Sequence, residues 1–136
     1  MNAKKIPLRQ RMSFLPSLFG NYFLTGETFV FGFMDKYAQG YNGGHYEFMK
    51  AENGAMYLKP DSDYFLSLPN YFNETISADI CGIIATSYAL SWLIHKAHVN
   101  DKDRLFNLLL DRQQKLNDYI GTLNDRDYDR VKFAIN

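Results

Sequence analysis

Cysteine is nearly absent. Cys81 is the one cysteine in 136 residues, so no internal disulfide ties the chain. It lies in an apolar stretch, where a small buried hydrophobe is the first reading and a reactive thiol the second. A glycine-rich phosphate loop is also missing: Tyr41-Asn-Gly-Gly44 is too short and opens a strand, not a helix, so it lacks the positive dipole end that anion sites use. His95 and His98 are three apart with no Cys or carboxylate at ligand spacing, which favours helix-end histidines over a metal site. No Ser-His-Asp or Cys-His arrangement can be read from spacing. Catalysis therefore has no positive support in the sequence, and no metal site is expected. A charged-then-apolar leader is lacking as well, so the cytoplasm is the expected location. No uncharged run reaches the roughly 20 apolar residues of a bilayer span, and no membrane partner is expected.

Charge of one sign is not in excess, with 15 Lys and Arg against 15 Asp and Glu, but its distribution is uneven. Residues 1–26 carry Lys4, Lys5, Arg9 and Arg11 and no acid. Residues 27–79 carry eight acids against Lys36, Lys50 and Lys59, a net of −5. The basic lead-in, 1–12, reads as extended or mobile. A solvated arm is its ordinary role and a phosphate contact its alternative.

What is plentiful is apolar and aromatic residues, 46% and 16% of the chain. That suits one packed domain over 1–136, burying roughly two-thirds of its unfolded surface. The organising stretch is 76–98. Between Asp79 and Lys96 it has no Asp, Glu, Lys or Arg, and Ile80, Ile83, Ile84, Tyr88, Leu90, Trp92, Leu93 and Ile94 surround most of a helical period. A helix apolar nearly all round is a buried one. Ser77 suits its N-cap, and Asp79 faces the unpaired N–H groups of its first turn.

Before it, 14–20 reads as a short helix with Pro16 in its first turn. Residues 25–40 read as a second, capped by Thr25, with Phe29, Val30, Phe33, Met34 and Tyr37 on one face. Then 45–50, 56–59 and 64–68 read as a three-stranded antiparallel meander. Its first hairpin turns at Asn53-Gly54, a strong signal because both residues tolerate positive φ. Pro69 to Thr75 reads as a loop. After the central helix, Asn100 or Asp101 caps another with Leu105, Leu108, Leu109, Leu116, Tyr119 and Ile120 inward. Asn124 caps a last short helix burying Tyr128 and Val131. The predicted fold is α+β: a small three-stranded meander packed on a central apolar helix, with flanking helices at both ends.

Polar residues collect at the junctions: Arg11, Glu27, Tyr41, Asn42, Asn70, Asn73, Ser77 and Asp79. They are caps and backbone partners on one reading and a recognition surface on the other.

Phe14-Leu-Pro-x-x-Phe-Gly20, Gly26-Glu27, Tyr41-Asn-Gly-Gly-x-Tyr-Glu-Phe48, Asn53-Gly54, and Asn70-Tyr-Phe through Ile76-Ser-Ala-Asp to Gly82-Ile-x-Ala-Thr86 resemble the ArdB/KlcA antirestriction proteins. The likeness runs from about Arg11 to Leu93. Tyr46 stands where that family usually has Trp. The resemblance implies interference with type I restriction of incoming DNA by a protein of plasmids and mobile elements, without catalysis or cofactor. It carries the family's polar positions onto Arg11, Glu27, Tyr41, Gly44, Asn73, Ser77 and Asp79, with Asn42 and Tyr46 alongside. The partner it implies is a type I restriction-modification system, met directly or indirectly. Charge adds a discrimination. Duplex DNA carries one charge per roughly 1.7 Å of axis, and a chain with equal acids and bases is poorly suited to imitate it. The alternative function is a small DNA- or protein-binding accessory module of a mobile element using the basic N-terminus.

Overall fold

The structure, a computed structural model, describes residues 2–136. Six strands, β1 (Ala3–Lys5), β2 (Ala38–Gln39), β3 (Glu47–Ala51), β4 (Met56–Lys59), β5 (Tyr64–Ser67) and β6 (Asn73–Ile76), combine with five helices, α1 (Arg11–Phe19), α2 (Phe23–Tyr37), α3 (Ala78–Val99), α4 (Asp103–Ile120) and α5 (Asp125–Ile135). The α+β class and the central apolar helix stand as read from sequence.

α3 is that helix. Ile80, Ile83, Ile84, Leu90 and Leu93 are buried, and α2, α4, α5 and β4 all pack on it. It is long and apolar enough to cross a membrane by length and composition, but 67% of its apolar window is buried inside this fold. Its start is capped as the sequence suggests, with the Ile80 N–H donating to Ser77 Oγ at 3.2 Å. Trp92, expected inside, is 42% exposed, stacked on Phe29 with Lys96 above it.

The single meander is corrected to two antiparallel sheets, ordered β1-β3-β4 and β2-β5-β6. The physical reason lies at the outer edge of β4. In the β3–β4 register Phe48 faces Leu58, and the Leu58 N–H points away from β3, donating to Thr86 Oγ1 of α3 at 3.2 Å. One turn earlier, Gly82 brings the helix against the Leu58 carbonyl. A helix thus covers the edge that the third strand was expected to fill. β5 instead pairs with β2 and with β6, which lies in the stretch read as a loop.

The basic lead-in is likewise ordered: Ala3–Lys5 is the third strand of the first sheet, and the Ile6 N–H donates to Phe48 O at 2.7 Å. α1 begins at Arg11, so Pro16 lies inside the helix and not in its first turn. α2 begins at Phe23, leaving Thr25 within it. α4 begins at Asp103 without a side-chain cap from Asn100 or Asp101. The hairpin turn is as expected, with Gly54 at φ +89 and the Ala55 N–H bonded to Asn53 Oδ1 at 3.0 Å. Asn124 caps α5 by accepting from the Asp127 N–H at 2.9 Å, and Val131 is buried, but Tyr128 is exposed.

Candidate functional site

The junction residues fall into three places. The first surrounds the entry to β3. Tyr46 is buried there, and its hydroxyl donates to the Tyr41 hydroxyl at 2.9 Å. Tyr41 meets Tyr64 edge-on, with ring centroids 5.7 Å apart, and Phe31 of α2 leans on Tyr46 at 4.9 Å. Burial first, then the Tyr41 contact, pushes the Tyr46 phenol well above its usual range, so it stays neutral. Arg11 braces the same entry to β3. Its Nη2 donates to Tyr46 O at 3.1 Å, and its guanidinium lies 4.3 Å from the centre of the Phe48 ring. Gly44 adopts φ +122, a backbone conformation that favours glycine; a Cβ there would sit 2.9 Å from Asp61 Oδ2, a side-chain end free to swing aside.

Between this loop and the outer face of α2 lies an open groove of about 610 Å³, lined by Thr28, Phe31, Gly32 and Asp35 on the helix and by Tyr41, Asn42, Gly43 and Gly44 opposite. Asn42 is exposed on its rim. Glu27 is half-buried on α2, one turn before Phe31, outside the groove lining.

The second place is the start of α3. Ser77 is occupied as the cap. Asp79 Oδ1 accepts from the buried Tyr57 hydroxyl at 2.5 Å, and Tyr57 stacks on Tyr119 of α4. Burial and the Asp79 contact raise the Tyr57 phenol far above its ordinary value. Asp63 Oδ1 accepts from the Ala78 N–H at 2.9 Å, so two carboxylates serve this helix end. The third place is the β5–β6 hairpin. Exposed Asn73 accepts from Ser67 Oγ at 2.6 Å and donates to Tyr71 O at 3.1 Å. Asn70, beside it, donates to Phe133 O and Ala134 O at 3.0 Å, tying the loop to the end of α5.

The structure therefore brings Arg11, Tyr41, Asn42, Gly44 and Tyr46 together and leaves Ser77, Asp79 and Asn73 elsewhere, each with a local bonding role. Phe31, Gly32 and Asp35 escaped the sequence reading because the inward stripe of α2 was drawn through Val30, Phe33 and Met34. A phenylalanine one position off that stripe was the available signal. Cys81 is fully buried, and burial pushes its thiol up to about 12. Among the described residues no three His, Cys, Asp or Glu side chains gather as a metal site.

The antirestriction-protein family pattern matches residues 39–126. This chain belongs to the antirestriction protein family. It is 36% identical over 112 residues to the antirestriction protein KlcA of Escherichia coli, 77% of each chain, and 42% identical over 90 residues to the putative antirestriction protein YubI of E. coli K12. The YubI match takes in 62% of this chain and 64% of that relative's length. In three dimensions it resembles a solved antirestriction structure over 99% of this chain and 94% of the other, with a TM-score of 0.83 and 29% identity. That structure is described with the KlcA and ArdB proteins as a novel fold with antirestriction activity against type I DNA restriction systems in vivo but not in vitro. The family match includes the Tyr41–Phe48 segment, the hairpin at Asn53-Gly54 and the whole of α3, so the groove loop and the helix that seals β4 lie inside the shared region.

Proposed function

We propose that this protein relieves type I restriction of incoming DNA through non-enzymatic contact, and that it acts in the cytoplasm of a cell receiving a plasmid or another mobile element. The observation that carries the proposal is family membership together with a fold shared along nearly the whole chain with an antirestriction structure.

Contact, not chemistry, is supported by how the polar family positions are used. Ser77 caps a helix, Asp79 holds a buried tyrosine hydroxyl, Arg11 braces a strand, and Gly44 takes a positive φ. Contact without imitation of DNA is supported by charge. Acids and bases are equal in number, and Asp111, Glu74 and Asp127 sit in ion pairs with Arg112, Lys115 or Arg130. Such pairs lower the local field that a phosphate-like array would need. The contact surface in this proposal is the groove of Phe31, Tyr41, Asn42 and Gly44, where the exposed Phe31 ring and the half-buried Tyr41 ring meet a glycine-rich loop.

Because the related activity is described in cells and not with purified components, the test belongs in cells. Unmodified phage is plated on cells carrying a type I system, with and without this protein. The proposal expects higher plating with the protein present and unchanged plating on cells lacking the system. Equal restriction with and without the protein refutes it.

A further inference from the structure

We propose that the cleft between α1, β3 and α4 is a binding site for a phosphate group, a site independent of the groove and of the reading above. Three cationic side chains line it: Lys50 from β3 and Arg112 and Lys115 from α4. The hydroxyl-bearing residues Ser13 and Ser17 of α1 join them, and no carboxylate lies among the lining residues. In a chain of zero net charge this is a local concentration of one sign.

The backbone adds to it. Lys4 and Lys50 are direct partners in the β1–β3 register, so both side chains rise from the same face of the sheet. Like charges directly opposite each other across strands are destabilising, and a bound anion offsets that repulsion. Arg112 is held in place before any ligand arrives. Its Nε donates to Ser17 O at 2.7 Å, and its Nη1 donates to Asp111, leaving Nη2 without a protein partner among the described residues. A fixed guanidinium with a free edge is the geometry that favours phosphate oxygens. Lys115 is fixed at its backbone: Asn53 Nδ2 donates to Lys115 O at 2.9 Å, pinning the hairpin turn to α4 and bringing the two lysine-bearing walls together.

Size narrows the ligand. The cleft holds about 230 Å³, below the roughly 300–1,000 Å³ of sites that enclose whole small molecules, which suits one anionic group with the remainder of its carrier outside. Asp111 pairs with both Arg112 and Lys115: the Lys115 pair is exposed at both ends, hence weak and screened by salt, while the Arg112 side chain is only 19% exposed, so that pair persists and Arg112 has only its Nη2 edge to offer a ligand. The phosphate has two sources, a free phosphate compound or a nucleic-acid backbone.

The test is an amide NMR titration of the full chain with inorganic phosphate, repeated for the Lys50→Gln/Lys115→Gln double variant and for Lys132→Gln as a remote control. The expected result is a saturable shift centred on Ser13, Ser17, Lys50, Gly54 and Arg112, weakened about tenfold or more in the double variant and unchanged in the control. Thermal melts of the variants establish that each is folded. A second titration uses a short duplex at low salt. If the duplex moves the same amides and competes with phosphate, the source is nucleic acid, with a log–log salt slope of about −1 to −2 for one or two phosphates. If phosphate binds and the duplex leaves those amides unmoved, the source is a free phosphate compound. The proposal is overturned if phosphate produces no localised shift, or shifts spread over all surface lysines, or shifts that persist unweakened in the folded double variant.

Discussion

Replacing Gly82 by alanine tests how the central helix is seated. A Cβ at this position would overlap the Leu58 carbonyl oxygen and stand 3.0 Å from Leu58 C and Lys59 Cα, all backbone atoms of β4. No rotamer change relieves that contact, so α3 and β4 must separate. Separation also stretches the 3.2 Å bond from the Leu58 N–H to Thr86 Oγ1, one turn along the same face. Overpacking of this kind costs about 1–3 kcal/mol, and stranding a buried N–H costs about 1–3 more. Alanine returns about 1 kcal/mol through its better helix propensity. The net expectation is a loss of about 1–5 kcal/mol, and at its middle a fall in Tm on the order of 10 °C for a domain of this size. Urea unfolding followed by circular dichroism reads it, with Gly32→Ala as the internal control. Gly32 is also within a helix, but a Cβ there meets nothing within 4 Å, so that variant should be neutral or up to about 1 kcal/mol more stable. If both variants match the wild type within about 0.5 kcal/mol, the seating of α3 on β4 is not as described.

The remaining stability predictions follow the same contacts. Thr86→Val keeps the side chain's shape but strands the Leu58 N–H, and urea unfolding should show a loss of about 1–3 kcal/mol. Ser77→Ala removes the α3 cap and should cost about 1 kcal/mol in the same assay, without changing far-UV dichroism at low temperature. For pH, burial raises the folded Cys81 thiol to about 12 from an ordinary 9.0. A raised folded value means this contribution is complete below the unfolded pKa and is lost as pH climbs from there towards the folded one. Stability should therefore fall by about 1 kcal/mol per pH unit just above pH 9, and Cys81→Ala should flatten that portion of the urea-midpoint profile.

How much of this could be read in advance depends on the range of the interaction. Signals set by neighbours in the chain were legible: the Ser77 and Asn124 caps, the Asn53-Gly54 turn, and the burial of α3 from an uncharged run. Signals set by distant partners were not. Ala3–Lys5 has no strand pattern of its own and becomes β1 only because β3 offers it an edge. β4 was given the wrong neighbour because an edge N–H bonded to Thr86, 28 residues away, leaves no mark at either site. Asn73–Ile76 reads as a loop until β5 pairs with it. The candidate site divides in the same way. Tyr41, Asn42, Gly44 and Tyr46 could be grouped in advance because they share one short segment, while the side chains facing them, Phe31 and Asp35, sit on a helix whose outward face had no assigned role. Ser77 and Asp79 were identified correctly as helix-start residues. Asp79's partner Tyr57 comes from β4 and has no sequence signature.

In the proposed function, contact through the groove relieves restriction, without catalysis and without imitation of DNA. The most direct measurement compares plating of unmodified phage on type I-restricting cells expressing wild type, Phe31→Asp or the remote variant Lys132→Gln at equal soluble levels. Phe31 is 37% exposed at the groove and its ring leans on Tyr46, so a thermal melt first establishes that Phe31→Asp is folded. The prediction is relief of restriction by wild type and Lys132→Gln, and loss of most of that relief in Phe31→Asp. Full relief by a folded Phe31→Asp protein would contradict the claim.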